Sequence, residues 1–287
     1  MLEPRKSRRG AAKRGALVRV FDEGRKMRVA VSILLSLAAF PSAPLAAQRV
    51  QTGFLDRSVT LSGVAYRYQV YVPANYSATQ RWPVILFLHG AGERGNDGLL
   101  QTTAGLGSAI RRRPSSYPAI VVFPQAPADS SWLGIPSQVA MAALERTLAE
   151  FSTDPDRLYL TGLSMGGNGT WHLAYQYPER FAAIAPICAF VVVPPAARGF
   201  SSAVPLDSGV PFITLARRLG RLPTWIFHGE IDPLVPVTDS RLAAEAIRSA
   251  GGDVKYTEFL GMEHNVWDAV YASPQFLEWL FAQRRRR

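Results

Sequence analysis

Gly162-Leu163-Ser164-Met165-Gly166 sets a serine between two glycines, after the apolar run Leu158-Tyr159-Leu160 and before a helix-like run from about Asn168. A serine hydroxyl is a weak nucleophile until a strained turn presents it and a base takes its proton. A sharp strand-to-helix turn does the presenting. Only small neighbours fit such a turn, because the backbone closes on itself there. The helix that follows aims its first N–H groups at any oxyanion forming beside Ser164.

The base must come from four histidines. His89 and His228 each end an apolar run directly before a glycine, where a histidine shapes a turn and bonds locally. His172 lies about two helical turns past Ser164, too far along the same helix to reach it. His264, in the polar stretch Gly261-Met262-Glu263-His264-Asn265, is the candidate base. An imidazole acting as base needs an acid to fix its tautomer. Asp232 follows the apolar run Thr224 to Phe227 and is the first choice. Asp239, read as lying on the exposed start of the next helix, and Asp268 stand as alternatives. The order Ser164, Asp232, His264 is that of α/β-hydrolase triads. The amides of Met165 and of Ala91, in His89-Gly90-Ala91-Gly92, are the candidate oxyanion donors. Trp132, Trp171 and Trp267 fall near these segments as candidate pocket walls, with core packing as the alternative.

The elements that must position these groups follow from periodicity. Alternation through Val59 and Leu61, then Tyr66 to Val72, predicts an antiparallel N-terminal hairpin. Continuous apolar runs at Pro83–Leu88, Ala119–Phe123, Arg157–Thr161, Ala182–Cys188, Thr224–Phe227 and Val254–Phe259 predict buried strands. Helical spacing covers Asp97–Arg113, Ser137–Phe151, Asn168–Tyr177, Thr238–Ala250 and Pro274–Gln283. The alternation implies a mostly parallel central sheet with helices on both faces. In such sheets ligands sit at the carboxyl ends of the strands, where His89-Gly90, Ser164 and His228-Gly229-Glu230-Ile231-Asp232 all fall. Residues 191–222, with Pro194, Pro195, Pro205 and Pro211 and only a short helix-like run near Ile213 to Leu219, break the rhythm. They read as a cap insertion over the strand ends or as a surface loop.

Leu88 to Gly95, Gly162 to Trp171, His228 to Asp232 and Gly261 to His264 together resemble the α/β-hydrolase superfamily. The resemblance is to its secreted carboxylesterases and prolyl-oligopeptidase-like predicted peptidases, relatives of polyhydroxybutyrate depolymerase and feruloyl esterase. It covers about residues 55–283. It implies an α/β-hydrolase fold and acyl-bond hydrolysis with no metal or organic cofactor. The segment 191–222 is longer than compact members of that group lead one to expect, which leaves the pocket shape open.

Composition sets the outer limits. The chain has 287 residues, 48% of them hydrophobic, and a formal charge of +10. That charge sits at the ends: residues 1–28 hold ten Lys/Arg, and Arg284 to Arg287 close the chain. Residues 49–283 hold 18 basic and 19 acidic side chains, which argues against a nucleic-acid-binding face. Arg25, Lys26 and Arg28, the apolar run Val29 to Phe40 and the small residues Ala46-Ala47 have the layout of a secretory signal peptide. Residues 1–47 are thus expected to be an upstream extension and leader, with Met27 as an alternative start. Residues 48–287 are expected to be one hydrolase domain, periplasmic or secreted and without a stable membrane anchor once the leader is cut. An uncleaved anchor is the alternative. The one cysteine, Cys188, has no internal disulfide partner and reads as a buried small hydrophobe.

The expected chemistry is cleavage of a small-molecule or oligomeric carboxylic ester through an acyl-enzyme. Activity should fall as pH drops through the ordinary imidazole range, near about 6.5. Two alternatives stand beside it: a prolyl-oligopeptidase-type peptidase on short peptides, and a non-catalytic exported binding protein on the same scaffold.

Overall fold

The computed structural model describes residues 51–285 apart from 196, 198, 207 and 208. The expected leader, at residues 1–47, lies outside them. The described residues lie in one compact unit.

Strands β1 (Gly53–Leu61) and β2 (Val64–Val72) make the antiparallel hairpin that the alternation predicts. Strands β3 (Trp82–Leu88), β4 (Ile120–Pro124), β5 (Thr153–Leu163), β6 (Ala183–Ile187), β7 (Thr224–Gly229) and β8 (Val254–Phe259) complete one sheet. Its order is β1-β2-β4-β3-β5-β6-β7-β8. The pairs from β4 onward are parallel, and β2 joins β4 antiparallel.

Alternating side chains on the central strands feed two cores. Val84, Leu86 and Leu88 face helices α2 (Ile135–Glu150), α3 (Met165–Gln176), α4 (Pro211–Leu219) and α5 (Val237–Ser249). Ile85 and Phe87 face α1 (Gly105–Arg112), α6 (Trp267–Ala272) and α7 (Pro274–Ala282). Both faces of β3 are therefore shielded, and all seven of its residues are buried. At about 25 cal/mol per Å² of apolar surface removed from water, these two cores are the main favourable contribution to folding.

Several boundaries differ from expectation for local reasons. The helix predicted over 97–113 is a short 3-10 turn at Leu100–Thr102 followed by α1, because Gly105 takes φ +57 and starts a new element. Strand β5 begins at Thr153, where pairing with Trp82 outweighs the turn-like Asp-Pro-Asp sequence. Helix α3 starts at Met165, directly after the serine. Within 191–222, α4 buries Leu215, Ala216 and Leu219 in the same core as α3 and α5. It thus serves as the crossover between β6 and β7. Among the described residues no helix is long and apolar enough to cross a membrane.

Candidate active site

Ser164 sits at the carboxyl end of β5 with φ 53 and ψ −116, a conformation L residues avoid. Neighbouring backbone holds it there. Its N–H donates to Ile187 O at 2.8 Å, and its carbonyl accepts from Asn168 N–H at 3.0 Å. The two flanking glycines make the turn possible. A Cβ on Gly166 would strike the Leu88 carbonyl and come within 2.7 Å of His89 O, while one on Gly162 would strike the Gly166 carbonyl. The serine turn is therefore packed against the end of β3, so Ser164 and the His89–Ala91 loop share one corner.

That loop is fixed from below. Burial pushes His89 down to about 4, so the ring is neutral. Its Nε2 accepts from Ala126 N–H at 3.0 Å, which leaves the proton on Nδ1 to donate to Gly90 O at 2.6 Å. Trp132 packs edge-on at 4.8 Å and donates its indole N–H to His89 O at 2.9 Å. Met165 and Ala91 are each the first residue of a helical turn, so their amides precede the first intrahelical bond and have no helical acceptor.

His264 reaches the serine from the β8–α6 loop. Its Nε2 is 2.9 Å from Ser164 Oγ, and its Nδ1 is 2.6 Å from Asp232 Oδ2. The His264 side chain is 14% exposed and that of Asp232 is 0% exposed. The β7 and β8 ends are knitted together, which is why residues so far apart in sequence meet. Ile231 N–H donates to Met262 O at 3.1 Å and Glu230 N–H to Phe259 O at 3.0 Å. A side chain on Gly229 would collide with the Glu263 backbone.

Asp232 is surrounded by donors. Leu234 and Val235 amides donate to Oδ1 at 2.8 and 2.9 Å, and His228 Nε2 lies 3.1 Å from Oδ2. Burial alone would raise this carboxyl, but the His228 and His264 contacts and the Val235 amide outweigh it and hold it well below the usual carboxylate range. Of the alternatives, Asp268 lies on α6, 3.7 Å from Arg112. Asp239 corrects the expectation of an exposed helix start: its carboxylate accepts from Val191 and Val192 amides at 2.7 and 3.2 Å.

Two contributors carried no readable signal. Cys188 has φ 47, and its thiol donates to the His264 carbonyl at 2.9 Å, beneath the imidazole. His228 reads locally as a turn residue, yet it contacts Asp232. The Cys188, Asp232 and His264 ligand atoms lie within 4.8 Å of one another. Burial pushes the thiol up to about 12, and Asp232 and His264 already bond each other, so these donors suit hydrogen bonding rather than a cation.

The expected aromatic wall is corrected in two of three places. Trp132 and Trp171 are 0% exposed and belong to the core between the sheet and α3. Trp267 alone stands at the site, its ring edge-on to His264 at 5.3 Å. His172 points away, bonding Ala203 O at 3.0 Å. A cavity of about 280 Å³ opens at the ends of β6 and β7, lined by Phe190, Val192, Val193, Phe212, Pro236 and Leu242 among others.

A family model described as "Putative esterase" matches residues 59–230. The chain belongs to this esterase family. The matched stretch contains Ser164 and stops short of Asp232 and His264. Among solved structures, a thermostable esterase is 32% identical with a TM-score of 0.68, over 81% of this chain and 63% of that one. A ferulic acid esterase superposes with a TM-score of 0.64 at 18% identity, over 81% of this chain and 100% of that one. With the eight-stranded sheet described above, these place the chain in the α/β-hydrolase fold. An uncharacterized secreted protein of Arthroderma benhamiae is 24% identical over 250 residues, covering 79% of this chain and 26% of that protein. The chain thus spans about a quarter of that relative's length.

Proposed function

We propose that the protein is a serine hydrolase of carboxylic esters, with Ser164 as nucleophile, His264 as general base and Asp232 as the residue that orients it. The observation that carries this reading is the unbroken contact chain from Ser164 Oγ through both His264 nitrogens to a buried Asp232. With its Nδ1 proton donated to Asp232, His264 turns the lone pair of Nε2 toward the serine hydroxyl. Ser164 Oγ attacks the ester carbonyl carbon as Nε2 takes its proton. The carbonyl oxygen becomes an oxyanion facing the Met165 and Ala91 amides, a pairing in which each donor is worth on the order of 3 kcal/mol of barrier. Collapse expels the alcohol, protonated by His264, and leaves an acyl-serine. Water, deprotonated by the same nitrogen, then releases the acid.

The esterase neighbours support an ester rather than an amide substrate. The test is turnover of nitrophenyl esters of graded acyl length beside peptide anilides, with Ser164→Ala as control. Ester turnover abolished by that substitution is expected. Turnover that survives it, or turnover of anilides alone, would overturn the reading. Export is proposed as well. It rests on the leader-like layout of residues 25–47 and on the secreted relative. N-terminal sequencing of the protein recovered outside the cytoplasm should begin near residue 48.

A further inference from the structure

The contacts of Asp232 extend past the three residues named above. His228, on β7, is fully buried and has both ring nitrogens engaged. Its Nδ1 lies 2.7 Å from Ser240 Oγ on α5. Its Nε2 lies 2.9 Å from Val235 O and 3.1 Å from Asp232 Oδ2. A carbonyl and a carboxylate both only accept, so the ring proton must reside on Nε2. Nδ1 is then the acceptor, and the Ser240 hydroxyl supplies the proton that fixes this tautomer. The same Val235 peptide that accepts from His228 donates its N–H to Asp232 Oδ1 at 2.9 Å. The single Nε2 proton is therefore shared: it donates to Val235 O and lies close to Asp232 Oδ2, so His228 supports the carboxylate directly at Oδ2 and through Val235 at Oδ1.

We infer that His228, locked by Ser240, is a positioning residue that holds Asp232 ionised and aimed at His264, so the reacting array runs from α5 to Ser164. The inference rests on the esterase reading given above. It extends that reading from three residues to five. The physical reason is that a carboxylate with no exposed surface must draw its stabilisation from fixed donors. Among the described residues, Nε2–H of His228 is the one side-chain N–H near this carboxylate besides that of His264. Removing that donor leaves Asp232 more basic, so it pulls harder on the Nδ1 proton of His264.

Two substitutions separate positioning from packing. His228→Leu keeps volume and removes the donor. His228→Gln places an amide N–H close to where Nε2 stood. Expected for His228→Leu is a kcat lowered roughly tenfold to a hundredfold with KM little changed, and an acid limb of kcat/KM moved to higher pH. His228→Gln should restore most of both. Ser240→Ala, the mildest change, should lower kcat about threefold and serves if the leucine variant does not fold. An activity-independent reading is the downfield proton resonance of the His264–Asp232 bond, present in wild type and in His228→Gln and lost or shifted in His228→Leu. Wild-type kcat and resonance in folded His228→Leu would overturn the inference. So would a lowered kcat with an unmoved acid limb and an unchanged resonance, because that pattern is packing alone. If wild type turns over no ester, the proposed function falls while the resonance still decides the role of His228.

Discussion

Ser164 Oγ and His264 Nε2 stand 2.9 Å apart, and the serine is held there in a left-handed backbone conformation, φ 53. Strain of this kind costs on the order of 1–3 kcal/mol and persists because surrounding contacts over-determine it. Ser164→Gly should therefore abolish ester turnover and raise stability by about 1 kcal/mol, read from urea denaturation. Ser164→Ala should abolish turnover with no such gain, because alanine meets the same backbone penalty.

Gly166 packs against the carbonyls of Leu88 and His89. A methyl group there displaces backbone rather than a flexible side chain. Gly166→Ala is expected to cost several kcal/mol and to lower kcat together with stability. Gly92→Ala, at a glycine with open space around it, should leave stability within about 0.5 kcal/mol of wild type.

Cys188 is buried, and its thiol is pushed up to about 12. A disulfide reagent such as dithionitrobenzoate should leave the native protein unlabelled and release one equivalent in urea, matching the one cysteine in the chain. Cys188→Ala removes the thiol donor beneath His264. It should lower kcat severalfold, and Cys188→Ser should recover part of the loss.

Asp239 supplies a pH dependence of stability. Burial is the largest influence and raises this carboxyl to about 6, against the pull of the Val191 and Val192 amides. A raised folded-state value means that its contribution is fully present below about pH 4 and is lost as pH rises through about 6. Between pH 4 and 7 wild type should lose at most about 3 kcal/mol relative to Asp239→Asn. Urea midpoints of both proteins across that range measure it.

The three tryptophans should behave differently. Trp267→Ala should change kcat/KM with little effect on stability, since its ring borders His264 from a half-buried position. Trp132→Ala and Trp171→Ala should each cost about 3–5 kcal/mol, as expected for large side chains removed from a core.

The strands and the three proposed reacting residues were legible because each leaves a local mark. Buried strands such as Pro83–Leu88 are continuous apolar runs, and Ser164 sits in a turn that only glycines allow. What escaped the sequence is long-range. The link between His228 and Asp232 depends on the ring tautomer, which Ser240 sets from a different element. The thiol of Cys188 reaches His264 only because β6 ends beside the β8 loop. Trp132 and Trp171 lie close in sequence to functional segments, but their side chains turn into the core. Helix α6 is too short, six residues, to show a periodicity. Helix α4 shows in the sequence as the helix-like run near Ile213 to Leu219, but its role as a core crossover was masked by the proline-rich stretch around it.

Among the described residues, the stretch between Phe190 and α4 is tied to the rest of the molecule by the Asp239 carboxylate, by the Asn168 amide, which donates to Phe190 O and Ser201 O, and by His172 at Ala203 O. Ala203 and Val204 return to the core shared by α3 and α5, so the segment from Val193 to Phe200 is bracketed by fixed ends. This makes it the natural part to exchange. Loops of other lengths, grafted between Val193 and Phe200, would reshape the cavity walled by Val192, Val193 and Phe212 while Ser164, Asp232 and His264 kept their mutual spacing.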